Sequence, residues 1–461
     1  MSGQAHKPRS SRRTSVSGPG LAAAVIVGAF LLAALPLILT GYDYGRGAMD
    51  QNRYHLEVIG RFAEQWPAFD LRDYESATTP GYHIALATVG RLLGTDVLVL
   101  RLAGAVFTLG LLGTIAWYAA RRVGAAAAVA ICAPLVTSLY VFGSGVWLLP
   151  DNAAWWGVLA ILLLALRPRL DGSFFAAGGL LLLVLVTVRQ AHLWAAAVLW
   201  AAAWLGPGAE ASPLRPLDPW RRGRRAALAA AATAPAFLAV AWFYRLWGGL
   251  VPPLFQATGD QDNPLAVPTT GWNPATPALL LALCGVLGAF FAGFLLPTMR
   301  RLAGDRRATW VVALHAAAGL AISLAPHSTF DKAAGRWSGL WNIVEAFDRR
   351  GLSFADRSPV IVGLGTLGAA WLGLWFVALR SRDRWLLLAA WIAFAAAQTA
   401  SAFAWQRYLE PFVLMMLAIS VVLVAGRPAD TSAEASPPRW AAAGPVALAL
   451  LLAAVTVAAL V

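Results

Sequence analysis

The chain has little charge and almost no cysteine. Only 13% of its 461 residues are charged, 59% are hydrophobic, and the mean hydropathy is +0.64. Apolar runs of membrane-spanning length occur throughout, which excludes a soluble protein and predicts an all-α polytopic membrane protein. The two cysteines, Cys132 and Cys284, both lie inside apolar runs. Neither a disulfide framework nor a cysteine-based metal site is therefore expected.

Acidic residues are scarce, with 23 Asp and Glu against 36 Lys and Arg and a net charge of +13. In a soluble protein this excess would suggest a nucleic-acid partner. Here the basic residues form short clusters between apolar runs, which is the distribution that sets membrane topology. We therefore expect membrane lipid, and no nucleic acid, as a partner.

The first apolar run, Leu21 to Thr40, follows a basic tail at residues 1–20. A cleaved signal peptide is the alternative, but this run is longer than the roughly 7 to 15 apolar residues of a signal peptide. We predict an uncleaved helix with a cytoplasmic N-terminus. Twelve further spans bring the expected number to about thirteen; they are predicted near 97–120, 124–142, 152–167, 174–188, 192–206, 226–247, 276–298, 308–325, 359–380, 385–404, 408–426 and 440–460.

This arrangement assigns 22 of the 36 lysines and arginines to the cytoplasmic side, as the positive-inside rule requires. Two segments rich in Pro, Ala, Ser and Arg, 209–225 and 427–439, are predicted to be cytoplasmic linkers. Residues 21–426 then form the main transmembrane domain, and 440–461 form a final helix.

The first outer loop, residues 41–96, contains Met49-Asp50-Gln51-Asn52-Arg53-Tyr54-His55-Leu56-Glu57. Ionisable groups beside lipid are costly and mark a candidate site. Charged and apolar residues alternate with helical spacing from Gln51 to Trp66, which predicts an amphipathic helix on the membrane surface with Asp50 at its head. A second stretch, Pro80 to Leu93, is too short to span and is expected to be re-entrant or interfacial.

Polar residues in six segments fall on the predicted outer face. They are Asp50, His55 and Glu57; Asp151 and Asn152; Arg189, Gln190 and His192; Asp260, Asp262 and Asn263; His327, Asp331, Lys332 and Arg336; and Gln406, Arg407 and Glu410. Because the topology follows from lysine and arginine counts and from segment lengths alone, this coincidence indicates one site on that face.

These segments resemble a known family. A long outer loop that opens with an acid, followed by a second acid in the next outer loop, is similar to the GT-C superfamily of polyprenyl-phosphate-sugar-dependent glycosyltransferases. Short motifs in the same order resemble the dolichyl-phosphate-glucose-dependent α-1,2-glucosyltransferase family: Met49-Asp50 with His55, Thr78-Thr79-Pro80-Gly81, Val188-Arg189-Gln190, Gly259-Asp260 with Asn263, His327 with Asp331 and Arg336, and Arg407-Tyr408 before Pro411. The motifs cover residues 49 to 411.

The resemblance implies a GT-C-like transmembrane domain that moves a hexose, glucose-like, from a polyprenyl phosphate to a lipid-linked or cell-envelope glycan. The composition, rich in Ala and in Arg over Lys, suggests a bacterial inner membrane and a bacterial lipid carrier, with the active site on the outer face. A lipid or polysaccharide transporter or flippase is the alternative. A transporter should contain internal repeats with charges near the middle of its spans, whereas here the charges lie at one face and no repeat is evident.

Glycosyl transfer with inversion needs a base for the acceptor hydroxyl and cations for the departing phosphate. Asp50 is the candidate base and Asp151 a second catalytic acid, although either could simply cap the helix that follows it. Candidate phosphate ligands are Arg189, His327, Lys332, Arg336 and Arg407. Arg189 could instead extend to the membrane interface.

Candidate substrate-binding residues are His55, Glu57, Gln190, Asp260 and Asn263. His55 could instead be a surface imidazole, and Glu57 an ion-pair partner of Arg53 one helical turn away. The acidic stretch 259–264 lacks the spacing of a calcium loop. We therefore expect no cofactor and no metal; a divalent metal is the alternative, which this spacing does not support.

Overall fold

The computed structural model describes residues 17–72, 74–208, 219–256, 271–427 and 437–460. This part of the chain contains nineteen α-helices and no β-strand beyond two isolated bridges. The prediction of an all-α membrane protein is confirmed. Asp260, Asp262 and Asn263 lie outside the described residues, as do most of the tail 1–20 and of the segment 427–439.

The helices follow the apolar runs of the sequence. Their bounds are α1 Ser17–Leu39, α2 Gly45–Asp50, α3 Leu56–Gln65, α4 Gly81–Leu93, α5 Val97–Val123, α6 Ala125–Thr137, α7 Leu139–Val146, α8 Asp151–Ala165, α9 Gly172–Val188, α10 Ala196–Leu205, α11 Pro219–Trp247, α12 Thr276–Ala289, α13 Leu296–Leu302, α14 Arg306–Leu324, α15 Leu340–Asp348, α16 Pro359–Ala378, α17 Ser381–Thr399, α18 Gln406–Ala425 and α19 Ala443–Leu460. Helix α11 begins at Pro219, so the second half of the predicted linker 209–225 is helical instead.

All thirteen predicted runs are helical, but the number of spans is not confirmed. Among the described residues, seven helices are long and apolar enough to cross a membrane, or up to nine if each of two bent helix pairs is one span. The bends measure 70° between α6 and α7, and 80° between α12 and the segment Ala292–Leu302. Helices α8 and α9 are apolar but shorter than a full span.

Helix ends that the sequence assigns to the cytoplasm meet at one end of the bundle. The buried Arg382 donates to the carbonyl of Gly206 at 2.9 Å and to that of Ala165 at 2.7 Å. Arg427 donates to the carbonyl of Ala378 at 2.5 Å. These arginines satisfy carbonyls at helix C-termini, where orphan acceptors and the negative end of the helix dipole favour a cation.

The first outer loop differs from its prediction in two ways. Helix begins at Gly45, six residues early, and a π-helical turn at Gln51–His55 joins α2 to α3. The apolar side of α3 is covered by protein, because Val58, Ile59 and Phe62 are buried in a small core with residues of α4, α5 and α11. Protein, rather than the predicted membrane surface, therefore buries this side of the helix.

Helices α12, α14 and α16 pack with their backbones close together. A Cβ added at Gly368 would collide with the carbonyl of Leu281, and one at Gly285 with the carbonyl of Leu364. A Cβ at Gly319 would collide with Ala369 in the same way. Small residues at helix interfaces allow such close approach. Membrane helices associate through this packing, because the hydrophobic effect does not drive helix association inside a bilayer.

Candidate active site

Asp50 is the last residue of α2 and leads into the π-helical turn. Its backbone has helical torsion angles and its side chain makes no capping bond, so the alternative that it caps a helix is wrong. Its Oδ2 accepts from Nη1 of Arg407, at the start of α18. Its Oδ1 has no hydrogen-bond partner within the described chain, which leaves one carboxylate oxygen available to another donor.

Asp151 lies at the centre of the site. Its Oδ2 accepts from Nη2 of Arg407 at 2.9 Å, and its Oδ1 accepts from Nη1 of Arg189. Both carboxylate oxygens are therefore engaged. Four residues thus form one chain of charge-assisted hydrogen bonds, in the order Asp50, Arg407, Asp151, Arg189. This group, the Asp50 cluster, draws its members from α2, α18, α8 and the end of α9.

Local structure explains how Asp151 and Arg189 reach this position. Asp151 is the first residue of α8 and makes no capping bond, so the capping alternative is wrong here too. The next residue, Asn152, fixes the helix start, because its Nδ2 donates at 2.7 Å to both Thr108 Oγ1 and the Val141 carbonyl. Arg189 leaves α9 in an extended conformation and points into the cluster, so it does not extend to the membrane interface as the alternative required.

The cluster is partly open to solvent. Side-chain exposure is 6% for Asp151, 16% for Arg189, 19% for Asp50 and 24% for Arg407. Asp50 and Arg407 can therefore meet a substrate, whereas Asp151 lies beneath them. Partial burial also strengthens each ion pair relative to a fully exposed one.

Aromatic rings adjoin the cluster along α18. The guanidinium of Arg189 lies 4.9 Å from the ring centre of Tyr408, which stacks on Trp405 at 5.5 Å. Trp405 contacts Trp337 at 5.0 Å, and Arg46 lies over Trp337 at 4.3 Å. Arginine prefers such ring faces, which hold its planar group in a fixed orientation.

Gln190, a predicted substrate ligand, joins two outer segments. Its Oε1 accepts from the Thr79 amide at 3.0 Å, and its Nε2 donates to the carbonyls of Ala77 at 3.0 Å and Leu250 at 2.9 Å. Thr79 also donates through Oγ1 to the carbonyl of Val186 at 2.7 Å. This network fixes the Thr78-Thr79-Pro80-Gly81 segment against the end of α9, next to Arg189.

His55 is buried, so its interpretation as a surface imidazole is wrong. Its Nδ1 lies 2.9 Å from Nε2 of His83, and one of these nitrogens donates to the other. Burial and the neighbouring His83 keep the pKa of His55 well below its usual range. Burial also lowers the pKa of His83 to about 3. Both imidazoles are therefore neutral near pH 7.

Three predicted phosphate ligands belong to a separate loop between α14 and α16. Arg336 pairs with Asp331 at 3.4 Å and donates through Nε to the carbonyl of Thr329 at 2.8 Å. His327 pairs with Asp356 at 3.5 Å, and Lys332 is exposed. These three contact no member of the Asp50 cluster within the described residues. Glu57 is also exposed, and it forms no ion pair with Arg53 in the described chain.

One contributor was not predicted from the sequence. Arg101, buried in α5, donates through Nε to Gln51 Oε1 at 2.8 Å and through Nη1 to the Tyr42 carbonyl at 2.9 Å. Its Nη2 also pairs with Asp43 at 3.3 Å. Arg101 thereby holds both ends of the segment that contains α2. The sequence signal that could have identified Arg101 is an arginine inside an apolar run.

No group of three or more His, Cys, Asp or Glu side chains in the described part of the chain is arranged to hold a metal ion. The Asp50 cluster itself offers two carboxylates, and each is already bound to arginine.

The fold and the site thus define a helical membrane protein with paired aspartates and arginines at one end of its bundle. No protein-family model matches the sequence, and no curated protein matches it. The chain is similar to crystal structures of ArnT from Cupriavidus metallidurans. The apo state has 17% sequence identity and a TM-score of 0.38, and the state bound to undecaprenyl phosphate has 16% identity and a TM-score of 0.37. Each alignment covers 87% of this chain and 78% of the ArnT chain. Both TM-scores lie below 0.5 and do not establish a common fold.

Proposed function

We propose that the chain is a GT-C-type membrane glycosyltransferase that uses a polyprenyl-phosphate hexose, glucose-like by resemblance, as its donor. The acceptor is a lipid-linked or cell-envelope glycan on the outer face of a bacterial inner membrane. The motif resemblance described above supports the class of donor. The reaction must remove a proton from the acceptor and release a phosphate.

The observation that carries the proposal is the meeting of Asp50, Arg407, Asp151 and Arg189, from four distant segments, in one partly open cluster. Transmembrane proteins rarely bring charged groups together without a functional reason, because each is costly to remove from water. Two acids beside two planar cations provide both the base and the anion-stabilising groups that the transfer requires.

The geometry favours different roles for the two acids. Asp50 has a free oxygen and partial exposure, which suit a general base. In this mechanism the acceptor oxygen attacks the anomeric carbon and its proton passes to Asp50. The bond from that carbon to the phosphate oxygen breaks, and the phosphate leaves with the electron pair. Attack from the face opposite the phosphate inverts the anomeric centre.

Asp151 acts as a positioning residue. It is more buried, and both of its oxygens accept from arginine, so it holds Arg407 beside Asp50 and fixes Arg189 over Tyr408. The arginines can then stabilise charge that develops on the phosphate without moving during the reaction.

The experiment is a donor screen. Membranes that contain the chain are incubated with radiolabelled polyprenyl-phosphate hexoses of several kinds, and the label in each donor and in the lipid and glycan fractions is measured. We expect one donor to be consumed by the wild type and not by Asp50→Asn. Movement of intact donor across the membrane, with no label transferred, would favour the transporter alternative.

A further inference from the structure

The Asp50 cluster has no surplus of positive charge. Asp50 and Asp151 carry two negative charges, and Arg189 and Arg407 carry two positive ones. Every arginine in this cluster is already paired with a carboxylate. A lipid phosphate carries at least one negative charge and binds best to cations that are not compensated. A further, uncompensated cation beside the cluster would therefore add to the binding of a lipid phosphate.

The loop between α14 and α16 offers one unpaired cation, Lys332, which is exposed and makes no contact with the Asp50 cluster in the described chain. Arg336 and His327 are paired with acids of that same loop. Arg46 differs from them, because it forms no ion pair with any acid in the described chain. It is exposed, and it lies four residues before Asp50 in α2, which places the two side chains on the same side of the helix.

Aromatic contacts link Arg46 to the cluster. Its guanidinium lies 4.3 Å from the ring centre of Trp337, which contacts Trp405 at 5.0 Å. Trp405 in turn stacks on Tyr408, the residue that lies under Arg189. One continuous series of rings therefore runs between the unpaired cation and the paired ones. A guanidinium held by a cation–π contact uses none of its N–H groups in an ion pair, so they remain available to an anion.

We infer that Arg46, held over Trp337, binds the phosphate of a polyprenyl-phosphate donor beside Asp50. This assignment rests on the proposed function, because it takes the phosphate lipid from it. It replaces Arg336, Lys332 and His327 as phosphate ligands by an arginine of the first outer loop. The reacting hydroxyl and the phosphate then both lie within one helical turn of α2.

Binding can be measured without turnover. The full chain is purified into lipid nanodiscs, and its affinity for a polyprenyl monophosphate is compared with that for the free polyprenol of equal length. Loss of one charge-assisted contact should weaken phosphate-lipid binding of Arg46→Gln at least about tenfold. Arg46→Lys should fall between, because lysine keeps the charge and loses the planar group. Polyprenol binding should stay unchanged in both.

Arg121 provides a matched control. It is also an exposed arginine over a tryptophan, at 4.8 Å from Trp117, but it lies at the opposite end of the bundle. Arg121→Gln should bind the phosphate lipid as the wild type does. Thermal unfolding of all variants should match the wild type, since exposed side chains contribute little to stability.

The outcomes separate this inference from the proposed function. Wild-type affinity in Arg46→Gln overturns the inference even if glycosyl transfer is observed, and so does an equal loss of polyprenol binding. Selective loss of phosphate-lipid binding supports the inference even if no donor sugar is ever transferred. Inorganic phosphate should compete with the lipid in the wild type and not in Arg46→Gln; equal competition in both overturns phosphate recognition by Arg46.

Discussion

Replacement of Asp50 by Asn tests the mechanism most directly. The change keeps the shape of the side chain and removes its ability to take a proton. Loss of a general base typically slows a reaction by about a hundredfold or more. We therefore expect turnover to fall by at least about a hundredfold while donor binding survives, because Arg189, Arg407 and Asp151 remain in place.

The structure also sets the expected effect of Asp50→Asn on stability. Asp50 is not a helix cap, and Arg407 keeps its bond to Asp151 when the charge on Asp50 is lost. Arg407 is then not left as an unpaired buried charge, so this variant should lose less stability than one that breaks a buried pair. Asp151→Asn is the informative contrast, because its carboxylate is buried and holds two guanidinium groups. Breaking a buried pair costs about 3 to 5 kcal/mol, so this variant should lose stability as well as activity.

Turnover and thermal unfolding of both variants, measured side by side in the same detergent, separate the two roles. Asp50→Asn should unfold near the wild-type temperature and be almost inactive. Near wild-type turnover in this variant would remove Asp50 from the mechanism. A loss of stability in Asp50→Asn as large as that in Asp151→Asn would show that the assignment of separate roles is wrong.

Three further outcomes are expected. Arg189→Lys keeps the charge and loses the planar fork, so turnover should fall by about tenfold; wild-type kinetics would contradict this. Topology reporters should place residue 304 in the cytoplasm and residue 340 outside, and an outer signal at 304 would refute the topology. Burial lowers the pKa of His55 and His83 from the ordinary 6.5, so the unfolded chain takes up protons first as the pH falls. Stability should therefore drop below about pH 6.5, and His83→Asn should weaken this drop in thermal unfolding.

Much of the fold could be predicted because it depends on local properties of the sequence. The length and composition of each apolar run predict a helix, and each run is helical in the structure. The start of α2 was missed because Gly45 and Gly47 weaken the helical signal, and the π-helical turn has no sequence signature. Burial of His55 was missed for another reason: the cover on α3 comes from α4, α5 and α11, which follow it in the chain.

The site was predictable in its members and not in its contacts. In the sequence, Asp151, Arg189 and Arg407 each stand at an outer boundary of an apolar run, and Asp50 opens the first outer loop. Their pairing depends on how distant helices pack, since 357 residues separate Asp50 from Arg407 and 256 separate Asp151 from Arg407. Arg336 meets the same boundary criterion, yet it pairs with Asp331 inside its own loop. Charge and position alone could not distinguish these cases.

The close packing of α16 determines which sequence changes this helix can tolerate. Alanine at Gly368 adds only one methyl group, but it would push against the backbone of α12 and force the two helices apart. The same change at Gly363, five residues earlier on the same helix, meets no atom within 4 Å and removes a flexible residue from a helix interior. Natural variation in α16 should therefore accumulate on one side of the helix, while the side that faces α12 keeps its glycines.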